Sequence, residues 1–300
     1  MNSCSFLYKL TYIYYPIYRA VNFERFGECK VSWLNYLLGK GWTITSAGGL
    51  TGDAYIATSK DKKLFLKRNS STFLAVLSAE GIVPKLIWTK RLESGDVITA
   101  QEWVEGRELR KEEMQHQQVA ELLHKIHHSS ELLHMLMRLG KQPMPLEKDI
   151  QITEARLRYY GLFDNEIIQE TLRHMNDFFP STIGHHQVVC HCDLNHNNLI
   201  LTKEGQLYLV DWENATIADP AMDFAMVLKW YVPRNEWGKW LDNYGIPFDD
   251  QLLSRMYWYL MLDTLHYLIW HYERHESHKT EAKLRDLKEL NTDVRSMLDS

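Results

Sequence analysis

The sequence predicts an α+β chain of two lobes, a small and mainly antiparallel β lobe followed by a large helical one. Three observations predict it. Short β-branched and aromatic runs separated by glycine-containing turns fill the early part of the chain: Trp42-Thr43-Ile44, Ala54-Tyr55-Ile56-Ala57, Lys62 to Arg68 and Val97 to Val104. From Gln115 onward apolar residues recur at helical spacing. One hairpin pattern, Leu199 to Asp211, interrupts the helical part.

Composition sets outer bounds. At 300 residues the chain has room for one large domain or two lobes. An apolar fraction of 45% supplies an ordinary globular core. A net charge of −5 argues against a general nucleic-acid or anionic-membrane binder. Cys4, Cys29, Cys190 and Cys192 are too few and too unevenly spaced for a disulfide framework, which fits a reducing cytoplasm. No apolar run reaches the ~20 residues of a membrane-spanning helix.

Residues 1–40 are rich in Tyr and Ile but carry Lys9, Pro16 and Arg19, and lack the uninterrupted core of a signal peptide. They read as an N-terminal extension without a catalytic role. Residues 41–105 form the β lobe. Gly48, Gly49 and Gly52 lie between its first two strands, where glycines let backbone N–H groups approach phosphate oxygens; a plain hairpin turn is the alternative. Lys67 ends the third strand, with Lys63 and Arg68 competing for its role. A helix over Thr72 to Gly81 contains one acid, Glu80. Glu105-Gly106 marks the lobe boundary, and position alone offers the Glu102 and Val104 backbone to an adenine edge.

Residues 106–300 form the helical lobe. One helical pattern runs from Gln115 to Gly140. His124, His127 and His128 at i, i+3 and i+4 invite a metal face, but no Cys or acidic cluster accompanies them. Cys190-His191-Cys192 with His185 and His186 fits no zinc spacing. The informative stretch is His191 to Asn198. A His, an Asp two residues on and an Asn five beyond that have the spacing of a phosphotransferase catalytic loop. Asp193 can take a proton from a hydroxyl, and Asn198 can bind magnesium. With Lys203 to Gln206 as the turn, Thr202 faces Leu207 and Asn198 faces Asp211. Facing Cβ atoms lie about 5 Å apart, so both side chains can reach one magnesium ion at about 2 Å.

Beyond the hairpin, Asp219 is an N-cap with Pro220 at N1. Asp223 either braces the catalytic loop or is a surface charge. Gln251 to Tyr272 is apolar all round but contains Arg255, Asp263 and His266, which argues for a buried helix over a membrane span. Tyr257 and Asp263 are candidates for an acceptor pocket there, with Trp258, Tyr259, His266 and Trp270; aromatic core is the plain alternative. The tail from Leu284 to Leu298 is an amphipathic helix that packs on the body or on a partner.

The ordered set of glycine loop, Lys67, Glu80, hinge, HCDLNHNN, VDWE and ADPAMDFA resembles the aminoglycoside phosphotransferase and choline kinase family over roughly residues 41–275. The resemblance implies a protein-kinase-like two-lobe fold, ATP and Mg2+ as cofactors, and a small-molecule hydroxyl as acceptor. By motif it implies that His191 shapes the loop, Asp193 is the base, Asn198 and Asp211 hold magnesium, Lys67 holds the ATP phosphates and Glu80 orients Lys67. The runs AQEWVEG, YLVDWENATIADPAMDFAMVL and RMYWY further resemble kinase-like cell-cycle regulators of the CcrZ (YtmP) type from low-GC Gram-positive bacteria. That likeness implies a cytoplasmic protein tied to division and replication initiation, a ribose-bearing acceptor or nucleoside, and division proteins such as FtsZ as partners. The chain departs from the family at Cys192, where Gly is common, and at Asn195 and His196, which leaves the acceptor open. Asn195, Glu213, Tyr257 and Asp263 are the acceptor-side candidates. Two other functions stand beside the kinase. One is a kinase-fold regulator that binds without turnover; the other is an aminoglycoside-modifying enzyme, for which Asp263 and Glu213 are thin support.

Overall fold

Antiparallel pairing of the early apolar runs produces one sheet in a computed structural model. The structure describes residues 37–48, 53–143 and 145–299. Gly49, Gly52 and most of the expected N-terminal extension lie outside them. The strands are β1 (Thr43–Gly48), β2 (Ala54–Thr58), β3 (Lys63–Arg68), β4 (Leu86–Arg91) and β5 (Val97–Glu102), in the order β1-β2-β3-β5-β4. Period-two alternation sends Tyr55, Ala57, Leu64, Leu66 and Ala100 into one core, joined by Leu38, Trp42, Ile44 and Trp88. The same alternation puts Lys67 on the face opposite Leu64 and Leu66. Helix α1 (Phe73–Ala79) buries Phe73 and Leu77.

By contact the described residues form two units. Residues up to Leu109 group with Asn197–Asn214, and Arg110–His196 groups with the chain from Ala215 onward. The first unit is discontinuous because β6 (Gly106–Glu108) pairs with β8 (Leu199–Thr202), which pairs with β9 (Leu207–Leu209). The hairpin therefore belongs with the strands and not with the helices that flank it in sequence.

Its register differs from the expected one. Leu201 faces Leu207 and Leu199 faces Leu209, one residue off. The turn has three residues, not four: Thr202 N donates to Gln206 O at 2.9 Å, and Gly205 takes φ +84°. A residue in the left-handed region after a tight turn is the usual three-residue hairpin device. Asn198 is consequently opposite Val210, whose N–H donates to Asn198 O at 2.8 Å. Asp211 stands one place beyond.

The second unit is mainly helical. Helices α2 (Gln117–His127) and α3 (Ser130–Arg138) occupy the stretch of helical spacing from Gln115 to Gly140, and Ser129 caps α3 by accepting from Leu132 N at 3.2 Å. Then come α4 (Leu146–Tyr159), α5 (Glu166–Phe178), the paired strands β7 (Val188–Cys190) and β10 (Thr216–Ala218), α6 (Ala221–Tyr231) and α7 (Trp237–Tyr244). Helix α8 (Asp250–Glu273) runs 24 residues and is buried along most of its length. Helix α9 (Ser277–Leu298) lays Leu287, Leu290, Asn291 and Val294 against α8 and α5. Its Asn291 Nδ2 donates to Ile167 O at 3.0 Å. Among the described residues no helix is long and apolar enough to cross a membrane.

Gly106 lies where β6 approaches β8 closely. A Cβ there would stand 2.7 Å from Leu201 O, a backbone atom that cannot swing aside. Gly106→Ala should cost about 1–3 kcal/mol in urea unfolding. Gly238→Ala, in α7 with open space around it, should gain about 0.5–1 kcal/mol. Equal effects at the two sites would refute the close-approach argument.

Candidate active site

In the first unit the sheet delivers Lys67 from its middle strand to two acids. Lys67 Nζ lies 2.7 Å from Glu213 Oε1 and 3.4 Å from Asp211 Oδ1. Burial alone would lower its pKa, but bonding to Glu213 and the charge of Asp211 overcome that and raise it. Asp211 is aimed by its backbone: φ is +67°, which breaks strand alternation just after β9. The segment that follows is tied down. Trp212 Nε1 donates to Leu209 O at 2.7 Å, its ring meets Phe73 of α1 edge-on at 5.8 Å, and Leu209 N donates to Ile82 O at 2.9 Å. Asn198 ends a short helical turn, His196–Asn198, at the start of β8. A carboxamide and carboxylates supply hard oxygen donors, the set that suits magnesium.

In the second unit the loop after β7 is fixed by one carboxylate. Asp223 of α6 is 0% exposed. Its Oδ2 accepts from His191 N at 2.8 Å and its Oδ1 from Cys192 N at 3.0 Å. His127 Nε2 bonds Oδ2 at 3.0 Å, while His127 Nδ1 reaches the Tyr244 hydroxyl at 2.9 Å. Burial would raise the Asp223 pKa; the His127 pair and these amides outweigh it and leave it below the ordinary carboxylate value. His191 is itself fully buried, and its Nδ1 accepts from Asp193 N at 3.3 Å. Asn195 Nδ2 then donates to the Asp193 carboxylate at 3.2 Å and to its carbonyl at 3.3 Å. Cys192 sits at φ +63° with its thiol 3.6 Å from Met222 Sδ. A left-handed backbone here is the physical reason glycine suits the position.

The family follows from comparison with known proteins. A model of the phosphotransferase enzyme family matches residues 45–259. The chain belongs to that family. Solved structures with the same fold include a choline kinase, LicA, from Streptococcus pneumoniae, at 18% identity and a TM-score of 0.66 over 88% of this chain and 97% of that one. An aminoglycoside 2'-phosphotransferase-IIIa in complex with GDP gives 14% identity and a TM-score of 0.64 over 84% and 93%. A choline/ethanolamine kinase family protein from Mesorhizobium loti gives 16% identity and a TM-score of 0.61 over 85% and 90%. This phosphotransferase thus has the kinase-like α+β fold that its sequence predicts.

Several expected site residues are placed differently. Glu80 caps the C-terminus of α1, and Lys67 has Glu213 and Asp211 as partners in its stead. Glu213, expected on the acceptor side, is drawn onto Lys67. Asn195 is spent on Asp193. The Tyr257 hydroxyl donates to Asp293 of α9 at 3.1 Å, next to the Lys229–Asp293 pair at 2.6 Å, so it ties helices together. Glu102 N donates to Lys85 O at 2.8 Å, so the expected hinge backbone is tied to the start of β4 through that amide. Among the described residues the one convergent donor trio is His127, Cys190 and Asp223. Both His127 nitrogens are engaged, one by Asp223 and one by the Tyr244 hydroxyl, which agrees with setting the three-histidine metal face aside. Asp263 remains half-buried near Asp193. Burial, with the Asp193 charge adding to it, pushes its pKa up to about 6 against the lowering charges of His266 and Lys283. Two groups escaped the sequence reading. Tyr231 bonds His196 Nδ1 at 3.3 Å, and Tyr267 lies one turn from Asp263; that i, i+4 spacing was the available signal.

Removing the loop's anchor by Asp223→Ala should cost about 3–5 kcal/mol in urea unfolding, since it strands buried donors. The stability Asp223 contributes is complete above the ordinary carboxylate pKa and is lost as pH falls through its own lower one. Cys192→Gly should change stability by less than about 1 kcal/mol, whereas Cys192→Val, branched at a positive φ, should cost on the order of 2 kcal/mol. Thermal melts that rank Val above Gly would remove the backbone explanation.

Proposed function

We propose that this phosphotransferase moves the γ-phosphoryl group of ATP to a hydroxyl of a small molecule, with Asp193 as the base. The observation that carries this reading is the Asp193 carboxylate itself. Asn195 orients it, and it stands in a loop whose preceding amides are fixed on Asp223. A carboxylate held this way accepts the hydroxyl proton as the hydroxyl oxygen bonds to phosphorus and the bond to the ADP oxygen breaks. Lys67 exchanges its acid partners for phosphate oxygens, the groups that the glycine-rich sequence Gly48, Gly49 and Gly52 also suits. The Glu102 carbonyl and the Val104 amide meet the adenine edge. Asn198 and Asp211 would hold magnesium, which would supply positive charge to offset that of the phosphates.

We place the acceptor among ribose-bearing compounds or nucleosides, and the role in bacterial cell-cycle control at the division site, with division proteins such as FtsZ as partners. The support is the likeness of AQEWVEG, YLVDWENATIADPAMDFAMVL and RMYWY to CcrZ-type regulators.

ATP turnover with magnesium, measured against nucleosides, ribose, choline, amino sugars and aminoglycosides, tests the reading. Asp193→Asn should lower kcat by about 10²–10⁴-fold while ATP binding stays within about threefold. Undiminished turnover would overturn the assignment. Rescue of a division defect by the Asp193→Asn protein would move the role from catalysis to binding.

A further inference from the structure

Helix α8 carries a stripe that its surroundings do not explain. Between Met256 and His271 every residue is buried except Asp263, His266, Tyr267 and Trp270. These fall at i, i+3, i+4 and i+7, one face of the helix. A helix otherwise sunk in apolar core thus opens one narrow polar and aromatic face. His266 is used within the fold, 2.9 Å from Thr153 Oγ1 and 3.2 Å from Asp149 Oδ1 of α4. The Tyr267 ring packs on Trp270 and His271, but its hydroxyl and the Asp263 carboxylate are not used. Among the described residues neither the Asp263 carboxylate nor the Tyr267 hydroxyl has a hydrogen-bond or ion-pair partner. A half-buried carboxylate without donors is costly to keep. Both groups also feel the charge of Asp193, which raises the pKa of each in addition to burial.

The surrounding charges restrict what such a pair can bind. Asp193 and Asp263 together repel an anion. A cation meets the protein's own cations on the aromatic faces: Arg274 lies 4.8 Å from the Trp270 ring centre, and Lys283 lies 5.9 Å from that of Tyr267. An aromatic face already facing a cation gains little from a second one. What fits is a neutral compound with several hydroxyls, which offers donors to the carboxylate and can both give to and accept from a phenol.

We propose that Asp263 and Tyr267 form the acceptor subsite beside Asp193, and that the acceptor it takes is a neutral polyhydroxyl compound of the sugar class. This rests on the phosphotransfer reading. One hydroxyl goes to Asp193 and reacts; its neighbours bond to Asp263 and Tyr267 and set which one reacts. Keeping Asp263 unpaired in the free protein is a stability cost accepted for binding.

Magnesium–ATP turnover with ribose, inositol and uridine, against choline and kanamycin, tests the class, and Asp263→Asn with Tyr267→Phe tests the subsite. A neutral polyol should stimulate Asp193-dependent ADP release, and each variant should raise its KM by about tenfold or more with the KM for ATP unchanged. Asp263→Asn should also melt higher than the parent at pH 8. That gain should shrink as pH falls below about 6, where the parent carboxyl takes up a proton. A purely structural aspartate would instead melt lower on substitution. Stimulation by choline or kanamycin alone, or by none of the polyols, overturns the class. Polyol turnover whose KM ignores both variants overturns the subsite. Slow Asp193-dependent ATP hydrolysis without acceptor separates these failures from failure of the phosphotransfer reading, which would abolish it.

Discussion

One buried carboxylate sets the geometry of the second unit. Asp223 accepts two successive backbone amides, from His191 and Cys192, and pairs with His127. Backbone amides are poor at changing direction once bonded, so the loop between β7 and Asn195 has little freedom left. This is a costly device. A fully desolvated carboxylate is tolerated because three donors, two amides and His127, converge on it. The Tyr244 hydroxyl on the far nitrogen of His127 extends the arrangement to α7, so three helices share in fixing one turn.

The first unit solves a different problem, that of holding several like charges together. Asp211 and Glu213 lie two residues apart and would repel each other; Lys67 between them makes the cluster tolerable. Because its acids come from the segment after β9, and not from α1, the lysine is tied to the hairpin carrying Asn198 and Asp211. Lys67 and its acid partners are thereby joined to one packed hairpin, anchored through Trp212 and Ile82.

Much of this was legible in the sequence, for identifiable reasons. Period-two runs give the sheet, and the His191, Asp193, Asn198 spacing gives the loop, because both patterns are local. The register of β8 and β9 was not legible. It turns on whether Gln206 belongs to the turn, and a glycine in the left-handed region decides that, not the hydrophobic pattern. The partner of Lys67 was equally hidden, since Glu80 and Glu213 are both acids near the right elements and only tertiary placement separates them. Asp223 could be read either as brace or as surface charge, because a single Asp at the start of a helix suits both. Cys192 was visible as a departure, but its cause is a dihedral angle.

The pairing of β6 with β8 has a consequence for how the chain is made. Gly106 finds its partner Thr202 only after all of α2 to α5 has been synthesised. Translation adds roughly 5–20 residues per second, so the short strand emerges and waits for seconds with its edge unsatisfied. The N-terminal strands can form their own sheet on the ribosome. The hairpin that brings Asn198 and Asp211 to Lys67 joins them only then, while α6 to α9 are still to be made.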